Sequence, residues 1–393
     1  MRHHLTGLAI AVTTLAAPAA AQDVWDDPGG VETSATYEAA AVAATDASET
    51  FLYTLRGAFE ANLVLENGAE IGVRASGGLD KDNPARAGFG GIFGPAQPAT
   101  GPAGAYSGLA RGPAAEDIGP RGRIETGYIY MDGGYGELRA GLDEGVAARF
   151  FEGAPTLFRH AGLVNPALDP SGLVIARTDH DLTGPSLKVS YATPRILGVR
   201  AGASFTPDAN SGGIDRDPVR EVGGASAPEI ENAAEVALNV SRRLPRSGVR
   251  LRAAAAYSTA DARISAPAGI YETVETWSAG GSVEFTSLAL GFSYLDSTNG
   301  FAARGDYSAL SAALRLTLGK LEAGLEMADA EDESIGADSE SIGLSLGRDF
   351  GERIRIVGGW RRLNTRYTGN PLPLAPVLRE TTDGIVIEIT LSG

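Results

Sequence analysis

Cysteine is absent from all 393 residues, so neither a disulfide framework nor a thiol-based site can be present. Its absence also suits a chain that crosses an oxidising compartment before it folds. Long apolar runs are missing too. Beyond residue 21, no stretch approaches the ~18 consecutive apolar residues that a membrane-spanning helix requires. Large core-filling side chains are thinly spread: hydrophobic residues make up 43%, but alanine is abundant and glycine numbers 52. A soluble two-sheet protein of this length would need longer apolar runs on its inner faces. A barrel with lipid outside and water inside would not. Positive charge is in deficit, with a formal net charge of −16. That argues against a nucleic-acid binder and against a basic membrane-surface protein. No HExxH motif and no Ser/His/Asp grouping is present, so nothing in the chain invites an enzyme.

What the chain does contain begins with a secretory leader over residues 1–21. Arg2 supplies the charge, residues 5–17 the apolar stretch, and Ala19-Ala20-Ala21 a cleavage site before Gln22. Its removal takes away Arg2 and no carboxylate, leaving −17. Residues 22–393 then read as one domain. Its organising unit is KVSYATPRILGVRAGASFTP, residues 188–207. Val189 and Tyr191 fall on one face of the first run. Val199, Ala201, Ala203 and Phe205 fall on one face of the second. Period two marks both runs as half-buried strands, with a turn at Thr193-Pro194-Arg195.

About sixteen such segments follow one another: 34–43, 51–65, 71–79, 123–131, 137–142, 188–192, 197–206, 234–243, 249–258, 276–285, 288–295, 307–318, 321–328, 341–348, 353–363 and 382–391. The alanine run in the first is also compatible with a helix. Connections alternate between short turns, such as Asn67-Gly68, and longer loops, such as 80–122, 143–185 and 207–233. This is the plan of an all-β, transmembrane, antiparallel up-and-down β-barrel with tight periplasmic turns and long outer loops. Aromatic residues fit it. Tyr191, Phe285 and Phe350 read as outward residues beside short turns. Phe205, Tyr257, Trp277, Tyr294, Tyr307 and Trp360 read as outward residues near the long loops. Two such bands are what membrane interfaces favour.

Alternation places Arg56, Arg74, Arg123 and Arg139 on the inner faces of four successive strands, with Arg355 and Arg361 also inward. Facing lipid at mid-depth, each would cost ~2–4 kcal/mol.

Three stretches resemble a known family. VSYATPRILGVRAGASFTP is similar to a hairpin of Gram-negative general porins, in particular their alphaproteobacterial branch. YIYMDGGYGELRAGLDEG resembles the stretch that leads into the family's third loop, and WSAGGSVEFTSLALGFSYLDS a later hairpin. The likeness covers essentially the whole mature chain. It departs at the end, Ile389-Thr390-Leu391-Ser392-Gly393, where the family carries an aromatic residue that its assembly machinery reads.

The resemblance implies a sixteen-stranded outer-membrane barrel, usually a homotrimer, that passes small hydrophilic solutes and ions passively. It also implies a third loop folded into the lumen, with acidic residues opposite an arginine wall. Here that loop is residues 143–185, with Asp143, Glu144, Glu152, Asp169, Asp179 and Asp181. Its own arginines are Arg149, Arg159 and Arg177. Opposed charges would set up a transverse field that orients dipolar solutes and disfavours apolar ones; the alternative is that they are solvated lumen charges without a filtering role.

Outer-membrane lipids and lipopolysaccharide are the expected surroundings. No cofactor or transition metal is expected. His160 and His180 lack fixed metal-ligand spacing and read as polar lumen residues. Asp80 with Asp82, and Asp215 with Asp217, could hold structural Ca²⁺ or bridge to lipopolysaccharide, or be solvated loop charges. The run Gly88-Phe89-Gly90-Gly91-Ile92-Phe93-Gly94 lacks the strand-then-helix setting of a phosphate loop. It could be a flexible outer loop or, as in related porins, a latch onto a neighbouring subunit. The rival to a channel is a plugged or solute-selective barrel used in adhesion or in lipopolysaccharide or phage binding.

Overall fold

The structure is a computed structural model, and it describes residues 30–83, 101–109, 119–209, 225–226, 228–263, 269–303, 305–367 and 378–393. The leader, the 88–94 glycine run, Asp215 and Asp217 lie outside the described residues. Sixteen antiparallel strands close into a barrel. In chain order they are β1 (Val31–Ala44), β2 (Phe51–Val64), β3 (Glu70–Lys81), β5 (Arg121–Gly133), β6 (Gly136–Asp143), β7 (Ser186–Ala192), β8 (Val199–Ala209), β10 (Glu229–Arg243), β11 (Arg250–Arg263), β12 (Thr273–Glu284), β13 (Leu288–Ser297), β14 (Tyr307–Leu318), β15 (Leu321–Asp332), β16 (Ala337–Phe350), β17 (Ile354–Tyr367) and β18 (Leu378–Ser392). Each pairs with its sequence neighbour, and β1 closes on β18 from Glu38↔Ser392 to Ala44↔Val386. Outside the barrel β4 (Gly101–Pro102) and β9 (Ala225–Ser226) form a short parallel pair. The first segment is a strand over its whole length, so its alanine run is extended. No helix among the described residues is long and apolar enough to cross a membrane.

Period two sorts the side chains. Large apolar residues such as Phe59, Val73, Ile129, Val189, Leu238, Trp277, Phe292, Leu344 and Ile387 stand exposed on one face. A closed sheet has no edge to satisfy, so this greasy face can meet hydrocarbon with every backbone group already paired. The other face is mostly small or polar, with larger residues such as Leu52, Leu295 and Leu363 buried where the interior is packed. Two details depart from the sequence reading. Leu197 is in the turn, not the strand: Leu197 and Gly198 have φ of 52° and 91°, and β8 starts at Val199. Two consecutive left-handed residues make the tight turn that matches strand twist. Tyr307 is not an outward aromatic. It shares parity with Ala309 and Ser311 and is fully buried inside.

The interior contains packed cores. The connection between β6 and β7 contributes most of them. Val146 and Phe150, in and just after the one-turn helix α1 (Val146–Arg149), pack against Ala192 and Ala237. Leu157, Phe158, Ala161 and Leu168 pack with Val42, Leu52, Val357 and Val386. The largest core joins Ile175 and Leu182 of this connection to Ala105, Tyr106 and Leu109 and to small residues of β8 to β16. Glycines on the inner face make the seat. A Cβ at Gly202, Gly324, Gly343 or Gly359 would come within 3.0 Å of Phe150, Leu157, Leu163 or Phe158 respectively.

Candidate functional site

Arg56, Arg74, Arg123 and Arg139 lie on β2, β3, β5 and β6, each on the face opposite exposed neighbours such as Phe59, Val73, Ile124 and Leu138. The register of β3 against β5 shifts between Ser76 and Gly77, so Glu125 is an extra residue beside Thr126. Its carboxylate lies 3.3 Å from Arg56 and 3.6 Å from Arg123, whose guanidinium is also 3.3 Å from Asp80. Arg74 donates to Glu60 at 3.0 Å. Arg139 pairs with Glu137 and, at 3.2 Å, with Asp143, and it lies 4.7 Å above the Tyr128 ring. Every wall arginine therefore has a carboxylate, several of them from the wall itself.

The 144–185 segment is fastened to the inner face by carboxylates that accept its backbone N–H groups. Val146 N donates to Ser204 Oγ and Ala147 N to Glu235. Glu326 accepts from Leu157 at 3.2 Å. Glu388 accepts from Arg159, His160 and Ala161, each at 2.9 Å. A carboxylate collecting three backbone donors is a strong, charge-assisted clamp. His160 sits 3.0 Å from Glu38. Burial alone would lower its pKa, but hydrogen bonds with Glu38 and Glu388 prevail and push it up to about 9. His180, enclosed between Ser278 and Ser258, is instead pushed down to about 3 by burial and is neutral.

The loop acids fall into two groups. Asp143, Glu144, Glu152 and Asp181 line a single cavity of about 1390 Å³ together with Arg56, Arg74, Arg123 and Arg139. Glu144 opens onto this cavity, yet lies deep in the barrel. Removal from bulk water, then the Asp181 and Asp143 carboxylates, push its pKa up to about 7. Asp169 and Asp179 do not line the cavity. Asp169 is fully buried, accepts from Ser171 N at 3.0 Å and Val174 N at 2.9 Å, and lies 3.6 Å from Arg361. Asp179 is half-buried beside Tyr106, whose hydroxyl donates to its carbonyl at 2.7 Å. Burial is the main reason its carboxyl is pushed up to about 7. These two acids hold the loop's shape.

Among the described residues no group of three or more His, Cys, Asp and Glu could hold a metal ion. Asp80 is engaged by Arg123, and Asp82 accepts from Asp169 N at 3.1 Å. The segment after the glycine run folds onto its own barrel. Tyr106 and Ser107 donate to Asn299 Oδ1 at 3.2 and 2.9 Å, and the Tyr106 ring packs 5.4 Å from that of Tyr307.

Sequence reasoning did not single out Arg195, Arg200 and Arg252, which line the same cavity. For Arg200 and Arg252 the signal was available: they alternate with Val199 and Leu251 on strands already recognised.

Comparison with curated protein sequences returns no match. Solved structures do match. An anion-selective porin from Comamonas acidovorans is 13% identical with a TM-score of 0.57, over 93% of this chain and 100% of that one. OmpF of Salmonella typhi, in complex with daunomycin, is 10% identical with a TM-score of 0.59, over 94% and 99%. OprB of Pseudomonas putida, in a high-pH structure, is 10% identical with a TM-score of 0.58, over 93% and 94%. At such identities the likeness is one of fold. The family profile described as Gram-negative porin matches residues 7–368. With a closed sixteen-stranded barrel, a greasy outer face and a charged water-accessible interior, the chain belongs to the Gram-negative porin family, built as an outer-membrane channel for small solutes.

Proposed function

We propose that the cavity is the constriction of a passive diffusion channel for small hydrophilic solutes and ions. Arg56, Arg74, Arg123 and Arg139 supply one wall; Asp143, Glu144, Glu152 and Asp181 supply the loop side. The observation that carries this is their shared cavity of about 1390 Å³. Opposite charges facing across confined water create a transverse field that aligns polar solutes and raises the barrier to apolar ones. Asp169 and Asp179 act indirectly, by fixing the loop. In the same reading residues 1–21 are the export leader, 22–393 the mature barrel, and three copies associate in the outer membrane among its lipids and lipopolysaccharide.

Liposome swelling tests the channel. Vesicles containing the protein swell in isotonic small sugars at a rate that falls with solute size, whereas a plugged barrel used for adhesion gives no swelling. The wall is tested by Arg74→Gln with Arg123→Gln. Removing both guanidiniums leaves Glu60, Asp80 and Glu125 less neutralised, so the reversal potential in a salt gradient moves toward cation preference. An unchanged potential removes the wall from the constriction and leaves the barrel standing.

A further inference from the structure

The inner end of the cavity carries an excess of positive charge that the constriction does not require. The short connection between β7 and β8 places Arg195 at that end. Arg200, one residue into β8, and Arg252, near the start of β11, point inward beside it. Tight turns of this barrel type face the periplasm. Arg195 donates to Asn239 Oδ1 at 2.8 Å and to the Gly198 carbonyl at 2.9 Å, not to a carboxylate. The Arg252 guanidinium has no hydrogen-bond or ion-pair partner among the described residues. Arg200 reaches Glu137 at 2.7 Å, but that carboxylate is already shared with Arg139 and with Arg149 at 3.0 Å.

Charge at this end is therefore unequal. Five guanidiniums, Arg139, Arg149, Arg195, Arg200 and Arg252, face three carboxylates, Glu137, Asp143 and Glu152. The contrast begins next to it, at the first residue of β11, and runs on round the barrel to β17. There Arg250, Arg315 and Arg355 meet Glu284, Glu322 and Asp349 in a chain of ion pairs from 2.6 to 3.8 Å, three against three. The excess is thus local, on a chain of strongly negative net charge. Guanidinium forks match the paired oxygens of phosphate and carboxylate, and Ser241 adds a neutral hydrogen-bonding group to the same lining.

We propose that Arg195, Arg200 and Arg252 form an oxyanion-binding station at the periplasmic mouth, which takes small phosphates or carboxylates as they leave the constriction. This rests on the channel reading above. Binding there is weak and reversible, as conduction demands: a solute must be held enough to enter and loosely enough to leave.

Single-channel recording tests it, with inorganic phosphate and succinate as separate probes. In native protein, phosphate reduces chloride current saturably. In Arg195→Gln with Arg252→Gln, the half-blocking concentration rises about three-fold, the scale expected when two exposed guanidiniums no longer attract the anion. The Arg195→Lys, Arg252→Lys protein keeps most of the block, since charge is retained. Heat-modifiable gel migration confirms that each variant is a closed barrel. Block by phosphate alone identifies a phosphate station, and block by both probes a general oxyanion station. Phosphate block that is absent, or equal in native and glutamine proteins, overturns this inference while a conducting pore leaves the channel reading intact. Absence of any pore current overturns both.

Discussion

In the proposed constriction, Glu144 is a side chain whose charge changes near neutral pH. Its carboxyl opens onto the cavity while its depth in the barrel, and the adjacent Asp181 and Asp143, push its pKa up to about 7. A raised carboxylate pKa means the neutral form prevails below that value and the charged form above it. Taking the medium from about pH 8 to about pH 6 therefore removes roughly one negative charge from the constriction. The expected outcome is a reversal potential that moves toward anion preference across this interval, and Glu144→Gln abolishes the step. Asp179 has a similarly raised pKa but faces Tyr106 and not the cavity, so it contributes no such signal. At this scale the sequence shows which residues face inward and not what they meet. Parity puts Arg56, Arg74 and Arg139 inside; Arg123 shares the parity of the outward Ile129 and turns inward only through the bulge at Glu125. The partner Glu125 comes from bulge geometry, and Glu60 and Asp80 come from neighbouring strands, which alternation does not encode.

The strands were legible and the loop was not, for one physical reason. A strand repeats its environment every second residue, so a dozen residues vote on one answer. The 144–185 segment has no repeat, and its path is decided by distant acceptors such as Glu326 and Glu388. Tyr307 shows the limit of the strand signal: an aromatic at a strand end fits an interfacial band, yet its parity with Ala309 sends it inside. Glycine misled in another way. Its abundance reads as thin packing, whereas several glycines on the inner face are seats for loop side chains. Gly324→Val with Gly343→Val places branched side chains where Leu157 and Leu163 lie. We expect an intact barrel by heat-modifiable migration, but protease cleavage within residues 155–165 that native protein resists. The clamp at His160 carries a pH signature of its own. Its pKa is raised from 6.5 to about 9, so its stabilising contribution is complete below 6.5 and is lost as pH rises through about 9. Amide exchange of Leu157 and Leu163 should quicken over that interval, and His160→Gln should remove the dependence.

At the scale of the molecule, the greasy exterior is continuous from strand to strand, while the interior is uneven. Core packing lines β8 to β16 and, around Leu157 and Phe158, β17, β18, β1 and the start of β2, and the charged cavity follows β2 to β6 before reaching Arg200 and Arg252. In the proposed channel the open path therefore follows one flank instead of the axis. For the whole assembly we expect a mass of three chains in detergent by light scattering; one or two chains would set aside the trimer and leave each pore unaffected. The same closure that makes the wall also orders its construction. Glu388, which gathers the amides of residues 159–161, belongs to the final strand, and that strand is also the one that seals against β1. A nascent barrel that still lacks β18 consequently has an open seam and a loop without its clamp at residues 159–161. Closing the cylinder and fastening the middle of the loop therefore depend on one and the same strand.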